Sequence, residues 1–218
     1  TCIAEDSNGH FWFGTNEMGL IEYNPETKKC QLFRHQPNRK GSLPDNRIRC
    51  LFIDEYSTLW IGTSGGGFCS FMPENNTFRS FRHRADNPQN SLSEDRVLTI
   101  TGTSGNILWI GTSNGGLNKF NKVTESFTHY KTTSSMQNPI SSNRVYSLLT
   151  DSKGRMWVGT HEGLNLFDLA KESFRTFRKS DGLPNEVIYG ILEDGNGNLW
   201  FSTNMGLCSF RYVEEGEH

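Results

Sequence analysis

The histidines, carboxylates and glycines of this chain could in principle supply acid-base, metal or phosphate chemistry, but their spacing indicates no such centre. No two histidines stand at a His-x-x-x-His spacing, and most fall at predicted turns: His10, His35, His83, His129, His161 and His218. The run Gly65-Gly66-Gly67 lacks the lysine and helix that follow a phosphate-binding loop. No order of Ser, His and Asp indicates a nucleophile with its base. The sequence therefore predicts no catalytic residue, no metal site and no cofactor.

A set of aspartates shares one position, six residues before a tryptophan: Asp6, Asp54, Asp151 and Asp194. Three of them are followed three residues later by glycine, which makes an Asp-x-x-Gly turn. The third copy departs, with Thr103 in place of the aspartate and Asn106 in place of the glycine. An aspartate in such a turn accepts a hydrogen bond from the backbone two residues on. We favour that role over a metal site.

The cysteines are odd in number and show no Cys-x-x-Cys spacing: Cys2, Cys30, Cys50, Cys69 and Cys208. Cys2 is equivalent to Cys50 in the first predicted strand of a repeat, and Cys69 is equivalent to Cys208 in the third. We interpret them as small buried residues. A disulfide framework or a zinc site stays open as an alternative, because Cys2 and Cys50 lie on neighbouring repeats. Free thiols fit an exported domain less comfortably than a cytosolic one.

Three arginines occupy a repeated position that the core does not explain: Arg47, Arg96 and Arg144. Each precedes the first β-branched residue of a predicted strand, and the last copy has Val187 there. A planar guanidinium group suits the hydroxyl or carboxylate groups of a ligand. The same group could instead pair with an acidic neighbour and join two repeats. We assign these arginines as candidate ligand-binding residues.

All five tryptophans stand in one repeated phrase of the type Trp-Ile-Gly-Thr: Trp12, Trp60, Trp109, Trp157 and Trp200. An aromatic face could stack on the C–H surface of a pyranose. However, a residue that recurs in every copy among apolar neighbours is expected to pack between adjacent units. We therefore predict a structural role for the tryptophans.

Each complete copy holds four short apolar runs separated by Gly, Asn, Asp and Pro, a pattern typical of antiparallel strands joined by tight turns. The copies span residues 1-45, 46-94, 95-142, 143-185 and 186-218. Four strands per repeat of this length predict an all-β fold, a β-propeller built of four-stranded antiparallel blades. A helical solenoid would need amphipathic helix-length stretches without glycine, and a β-helix uses shorter coils.

The segment from Asn143 to Phe167, with its Asp-x-x-Gly, Leu/Met-Trp-Ile/Val-Gly-Thr and Gly-Leu-x-x-Phe elements, resembles the two-component regulator propeller repeat. The resemblance extends over nearly the whole chain. It implies the sensor portion of a hybrid two-component system, typical of gut Bacteroidetes. In that family the propellers lie in the periplasm and precede an immunoglobulin-like module, a membrane helix and a histidine kinase. Such sensors respond to oligosaccharides released from glycans.

The two ends of the chain suggest a piece of a larger ring. Thr1 aligns with Arg49, inside a first strand, and the last copy stops at residues 213–218 without an aromatic fourth strand. Because propellers of this family commonly have seven blades, we expect about five of seven blades here. A closed ring of five blades is the alternative, and unpaired edges would otherwise favour association.

The composition narrows the choice of partners. The net charge is -2, and no basic cluster indicates nucleic acid or an anionic membrane surface. The mean hydropathy of -0.60 and the lack of a long apolar run predict no direct membrane contact.

The combined prediction is a noncatalytic periplasmic sensor segment that binds an oligosaccharide or other small ligand. Its polar loops between successive repeats vary most and are the expected recognition face. The expected partners are the kinase and immunoglobulin-like modules of the same parent chain, and a second copy in a homodimer. Two alternatives remain: a propeller lyase related to the streptogramin lyases, which would need a His/Glu cluster at the channel, and a protein-interaction scaffold without a small ligand.

Overall fold

The computed structural model describes residues 2–103, 105–133 and 135–212, and within them the chain forms five antiparallel sheets. Four sheets have four strands and the fifth has three. Blade one holds β1 (Cys2–Glu5), β2 (Phe11–Gly14), β3 (Leu20–Asn24) and β4 (Lys29–Phe33). Blade two holds β5 (Ile48–Ile53), β6 (Leu59–Thr63), β7 (Phe68–Met72) and β8 (Thr77–Phe81).

The remaining blades follow the same plan. Blade three holds β9 (Val97–Gly102), β10 (Ile107–Thr112), β11 (Leu117–Asn121) and β12 (Phe127–Tyr130). Blade four holds β13 (Val145–Thr150), β14 (Met156–Thr160), β15 (Gly163–Asp168) and β16 (Ser173–Phe177). Blade five holds β17 (Gly190–Glu193), β18 (Leu199–Thr203) and β19 (Gly206–Phe210). Single 3-10 turns at Pro88–Asn90 and Lys179–Asp181 lie between blades. The prediction of an all-β propeller with antiparallel blades is confirmed.

The strands of each blade pair in sequence order, and the first strands of successive blades lie side by side: β1, β5, β9, β13 and β17. These inner strands therefore gather around the common axis. We call the edge of a blade where the chain enters its inner strand the upper edge. The opposite edge, where the turn to the second strand lies, is the lower edge. Because the strands are antiparallel, the turn from the second to the third strand also lies at the upper edge.

The glycine two residues after four of the five tryptophans is required by packing between blades, and blade five has Ser202 at this position. A β-carbon on Gly62 would collide with the Cys50 sulfur of its own blade and with Val97 of the next blade. At Gly111 the collisions would be with Thr99 and Val145. The glycines thus permit the close approach of successive inner strands.

The core consists of four apolar clusters, each shared by two consecutive blades. In each cluster, a tryptophan of one blade meets a phenylalanine from the third strand of the next blade. The ring centroids are 5.1 Å apart for Trp12 and Phe71, and 5.2 Å apart for Trp109 and Phe167. Such ring pairs add to the burial of apolar area. A single blade would leave this face in water, so the array is stabilised through its blade interfaces.

The tryptophan of blade five differs from the other four in its exposure. Trp12, Trp60, Trp109 and Trp157 are at most 5% exposed, whereas Trp200 is 37% exposed. Leu192 and Leu207 of the same blade are also exposed. Within the described part of the chain, no apolar cluster joins blade five to blade one. The described blades therefore stand in an open row, and the sequence features noted at Thr1 and at residues 213–218 lie outside the described residues.

Within the described part of the chain, none of the five cysteines forms a disulfide. Burial raises the pKa of the Cys69 thiol above its ordinary value. The pKa of the Cys50 thiol is raised by burial and, to a smaller extent, by the nearby Cys2. Both thiols therefore stay protonated and unreactive at neutral pH. Among the described residues, no helix has the length and apolar content to cross a membrane.

Candidate functional site

The inner strands of blades two, three and four begin with a β-bulge at the upper edge. In blade two, Ile48 pairs with Thr63 and Cys50 pairs with Gly62, so that Arg49 is the extra residue. The same register shift makes Leu98 and Tyr146 the extra residues of the next two blades. Tyr189 stands at the equivalent place in blade five, just before β17. A bulge turns its side chain away from the regular alternation of the strand, and bulges are frequent beside binding sites.

A second position of the upper edge lies next to each bulge residue, four residues after the tryptophan: Ser64, Ser113, His161 and Asn204. In blade two, Arg49 Nε donates a hydrogen bond to Ser64 Oγ at 2.7 Å. In blade five, the Tyr189 hydroxyl donates to Asn204 Oδ1 at 2.9 Å. In blade four, the rings of Tyr146 and His161 lie 6.3 Å apart. The two positions form a continuous strip, which we call the upper rim.

The upper rim is aromatic in blades four and five. The ring centroids of Tyr146 and Tyr189 are 5.0 Å apart, and the ring planes are inclined by 52°. Tyr189 is 46% exposed and Tyr146 is half-buried. The same rim is basic in blade two, at Arg49, and aliphatic in blade three, at Leu98. The backbone is therefore repeated, while the exposed chemistry changes from blade to blade.

The three candidate arginines also lie at the upper edge, and the structure gives them different environments. Arg47 forms an ion pair with Asp45 of its own loop, with Nη2 and Oδ2 2.8 Å apart. Arg144 Nε donates to the backbone oxygen of Ser113 in the preceding blade at 3.2 Å. The exposed Arg96 side chain has no ion pair with any residue that the structure describes. Arg144 thus joins two blades, while Arg96 is available to a ligand.

The Arg47 pair affects the ionisation of its partner. Burial by itself would raise the pKa of Asp45, but the hydrogen bonds and the charge of Arg47 outweigh burial, so the pKa is lowered. The carboxylate stays charged, which keeps the Arg47 guanidinium group occupied in the free protein. A ligand would have to compete with Asp45 for this arginine.

The lower edge contains the repeated aspartates in a role that the sequence showed only in part. As predicted, Oδ1 of each accepts a backbone N–H from two residues on, for example from Lys153 to Asp151 at 3.0 Å. In addition, Oδ2 accepts the indole N–H of the tryptophan six residues on. These Nε1 to Oδ2 distances are 2.9 Å at Trp12, 3.0 Å at Trp60, 2.8 Å at Trp157 and 2.9 Å at Trp200. The constant spacing of six residues was the signal for this second bond.

Blade three is the exception at the lower edge. Thr103 occupies the place of the aspartate, and the buried Trp109 Nε1 has no hydrogen-bond partner among the described residues. Lys119 lies over the ring of Trp109, with its nitrogen 5.7 Å from the centroid. An unpaired buried N–H costs about 1–3 kcal/mol relative to a paired one.

Two of the lower-edge carboxylates also form buried ion pairs. Asp54 in blade two meets Lys122 in blade three, with Nζ and Oδ2 2.8 Å apart. Asp151 meets Arg155 in its own blade, with Nε and Oδ2 2.7 Å apart. Burial would raise the pKa of each aspartate, but the hydrogen bonds from tryptophan and from the cationic partner lower it overall. The oxygens of these carboxylates are used by internal donors, as expected of structural groups.

The histidines are dispersed over several blades. His35 and His83 face the backbone oxygens of Leu43 and Leu92 through Nδ1, at 2.7 Å and 2.9 Å. His10 pairs with Glu22 at the outer side of blade one, at 2.9 Å. Burial lowers the pKa of His129. Among the described residues, only His161 lies on the upper rim, and no His/Cys/Asp/Glu group has the arrangement of a metal site. His218 lies outside the described residues.

Four segments of the chain match the family described as two component regulator propeller: residues 1–17, 42–65, 139–162 and 182–205. These segments lie in blades one, two, four and five and include the upper-edge positions described above for blades two, four and five. A curated relative, histidine kinase P4 of Formosa agariphila, is 42% identical over 50 residues, which is 23% of this chain and 4% of the relative.

The chain is also similar to solved structures. It matches the extracellular domain of BT3049 from B. thetaiotaomicron, a protein assigned as a hybrid two component system, with 26% identity and a TM-score of 0.82. This match covers 96% of the chain and 28% of that structure. The chain also matches streptogramin B lyase, with 15% identity and a TM-score of 0.67. This match covers 99% of the chain and 69% of the lyase, and it shows a shared fold alone. The chain therefore spans only a small part of the sensor proteins that it resembles.

Proposed function

Because this chain carries the repeats of the two-component regulator propeller family in four of its five blades, we propose that it is a noncatalytic sensor segment of a hybrid two-component system. In this proposal the segment lies in the periplasm and binds an oligosaccharide. Occupancy is passed to a histidine kinase in the same parent chain through an immunoglobulin-like module.

The similarity to an extracellular domain over nearly the whole chain supports an extracytoplasmic position. The partial match to a histidine kinase supports a link to phosphotransfer signalling. Signalling requires that the ligand bind one arrangement of the sensor better than another, because a ligand shifts an equilibrium only by its differential affinity. A homodimer would provide two such arrangements through the relative placement of its two propellers.

The observation that carries the binding proposal is the upper rim. Its backbone repeats from blade to blade, including the bulge, while the residues at the bulge change from Arg49 to Leu98 to Tyr146. A purely structural position would be expected to repeat its side chain, as the lower-edge aspartates do. Variable exposed side chains on a constant scaffold are typical of recognition surfaces.

The upper edge also has the polar groups that a hydroxyl-rich ligand needs. Arg96 presents an exposed guanidinium group with several N–H donors in one plane. Arg47 and Arg144 lie at the equivalent positions of the flanking blades, although internal partners hold both in the free protein. Of the three, Arg96 is expected to contribute most to binding.

The test is titration calorimetry of the 218-residue chain with neutral and acidic plant hexasaccharides, combined with product analysis. We expect saturable binding of at least one hexasaccharide without cleavage. Arg96→Ala should weaken binding by about fivefold, equivalent to one lost hydrogen bond of about 1 kcal/mol. Arg79→Ala is the control. Arg79 lies on β8, the outer strand of blade two, where it pairs with Glu125 of blade three away from the upper rim. Cleavage of the sugar, or equal effects of the two variants, would contradict the proposal.

A further inference from the structure

We propose that Tyr146 and Tyr189 form a stacking platform for a neutral pyranose residue of an oligosaccharide, with Asn204 as the hydrogen-bonding group beside it. The inference rests on the proposed function, since it assigns a sugar subsite to the sensor. It places that subsite on the upper rim of blades four and five, whereas the candidate arginines Arg47 and Arg96 belong to blades two and three.

Tyr146 and Tyr189 occupy the bulge position at which Arg49 and Leu98 serve in blades two and three, so the bulge itself does not require a ring. Neither tyrosine belongs to the apolar clusters between the blades. Tyr189 leaves 46% of its surface exposed. The rings are therefore displayed, although folding does not require them at these positions.

The two rings contact each other, with centroids 5.0 Å apart and planes inclined by 52°. The two ring faces are therefore tilted with respect to each other and do not form a parallel stack. The hydroxyl of Tyr189 donates to Asn204 Oδ1 at 2.9 Å, which restrains the orientation of the exposed ring. A restrained ring loses little conformational entropy when a ligand stacks on it.

One face of a pyranose presents several C–H groups, which pack on an aromatic face, while its hydroxyl groups need hydrogen-bond partners around the edge. The exposed Asn204 amide nitrogen and the Tyr146 hydroxyl make no hydrogen bond to residues that the structure describes, so both can serve a ligand. Tyrosine combines an apolar ring with a polar group in this way.

The surroundings of the two tyrosines favour a neutral sugar over a charged one. The side chains in contact at the platform are Tyr146, Tyr189, Asn204 and His161, and none of them is a carboxylate, a lysine or an arginine. The nearby Arg144 is held by the Ser113 backbone oxygen. The platform is also an open surface, so a chain of several sugars can lie across it. We therefore expect longer oligosaccharides to bind better than monosaccharides.

The test uses the substitution Tyr189→Leu, which gives blade five the residue type that blade three has at Leu98. The variant keeps an apolar side chain against Tyr146 but removes the flat face. Tyr189→Phe keeps the face and removes the hydroxyl. The control is Tyr56→Leu, since Tyr56 is 63% exposed but lies in the lower-edge turn of blade two. The probes are cellohexaose, xylohexaose and laminarihexaose, and the readouts are calorimetry and thermal unfolding of the full 218-residue chain.

We expect at least one probe to bind, Tyr189→Leu to weaken it about tenfold or more, and Tyr189→Phe to retain affinity within about threefold. Tyr56→Leu should bind as the original protein does, and all variants should unfold cooperatively. If a probe binds and Tyr189→Leu binds it equally well, the platform is refuted while the proposed function stands. If none of the three probes binds the original protein, the neutral-sugar assignment fails. Binding of acidic hexasaccharides in the preceding experiment would then leave the sensor proposal intact.

Discussion

The two edges of the blades differ in how far their side chains vary. At the lower edge, four of five blades repeat the same aspartate and the same indole hydrogen bond, with donor–acceptor distances between 2.8 Å and 3.0 Å. At the upper edge, the repeated bulge carries arginine, leucine and tyrosine in turn. The lower edge fixes the turn and the core tryptophan. The side chains of the upper edge vary from blade to blade, as the proposed binding role requires.

The largest expected effect is at Asp151 on the lower edge. Asp151→Ala would leave Trp157 Nε1, Arg155 Nε and two backbone N–H groups without their acceptor. Because this removes one partner of a buried ion pair, we expect a loss of about 3–5 kcal/mol in the free energy of unfolding. Urea denaturation followed by tryptophan fluorescence measures it.

The matched control is Asp168→Ala in the same blade. Asp168 also accepts two backbone N–H groups, from Ala170 and Lys171, and pairs with the exposed Lys171 side chain, but it is the last residue of β15, is partly exposed and receives no indole. Its removal should cost no more than about 1 kcal/mol. Equal losses for the two variants would show that the lower-edge aspartate is only a turn residue, and the contrast between the edges would lose its main support.

The stability that the lower-edge aspartates contribute should depend on pH. The pKa values of Asp54 and Asp151 are lowered in the folded state, so their stabilising contributions are complete above the unfolded pKa of about 3.9. The contributions are lost as the pH falls through the folded values. The difference in melting temperature between the original protein and Asp151→Asn should therefore narrow below about pH 4. The difference in melting temperature between the original protein and Tyr189→Leu, on the upper rim, should stay constant over the same pH range. A constant difference for Asp151→Asn would contradict the role given to its charge.

The smallest expected effect is a difference in stability between tryptophan variants of blades three and four. Trp109 and Trp157 are both fully buried and both lie under a cationic side chain, but only Trp157 has an acceptor for its indole N–H. Trp157→Phe should therefore cost about 1 kcal/mol more than Trp109→Phe in the free energy of unfolding. Chemical denaturation of the two variants decides it. An equal or larger cost for Trp109→Phe would mean that the missing aspartate of blade three has no energetic consequence.

Much of the scaffold could be predicted from the chain, because the signals are local and repeated. The Asp-x-x-Gly turns, the alternation of short apolar runs and the period of the tryptophans predicted antiparallel blades, and this fold is confirmed. The indole hydrogen bond of the aspartates was not predicted, although its six-residue spacing was visible. The bulge was missed for a different reason. Arg49, Leu98 and Tyr146 share no residue type, so no pattern of letters marks their common position.

The sequence alone therefore determined the blade, its strands and its turns, since these depend on residues within one repeat. Only the tertiary structure decided which groups meet between repeats. Lys122 pairs with Asp54 across 68 residues, and Tyr146 meets Tyr189 because their inner strands lie side by side. The same packing decided that Trp157 is buried and Trp200 is exposed. Residues at equivalent positions of the repeats have different environments because burial depends on the neighbouring blade, which no single repeat encodes.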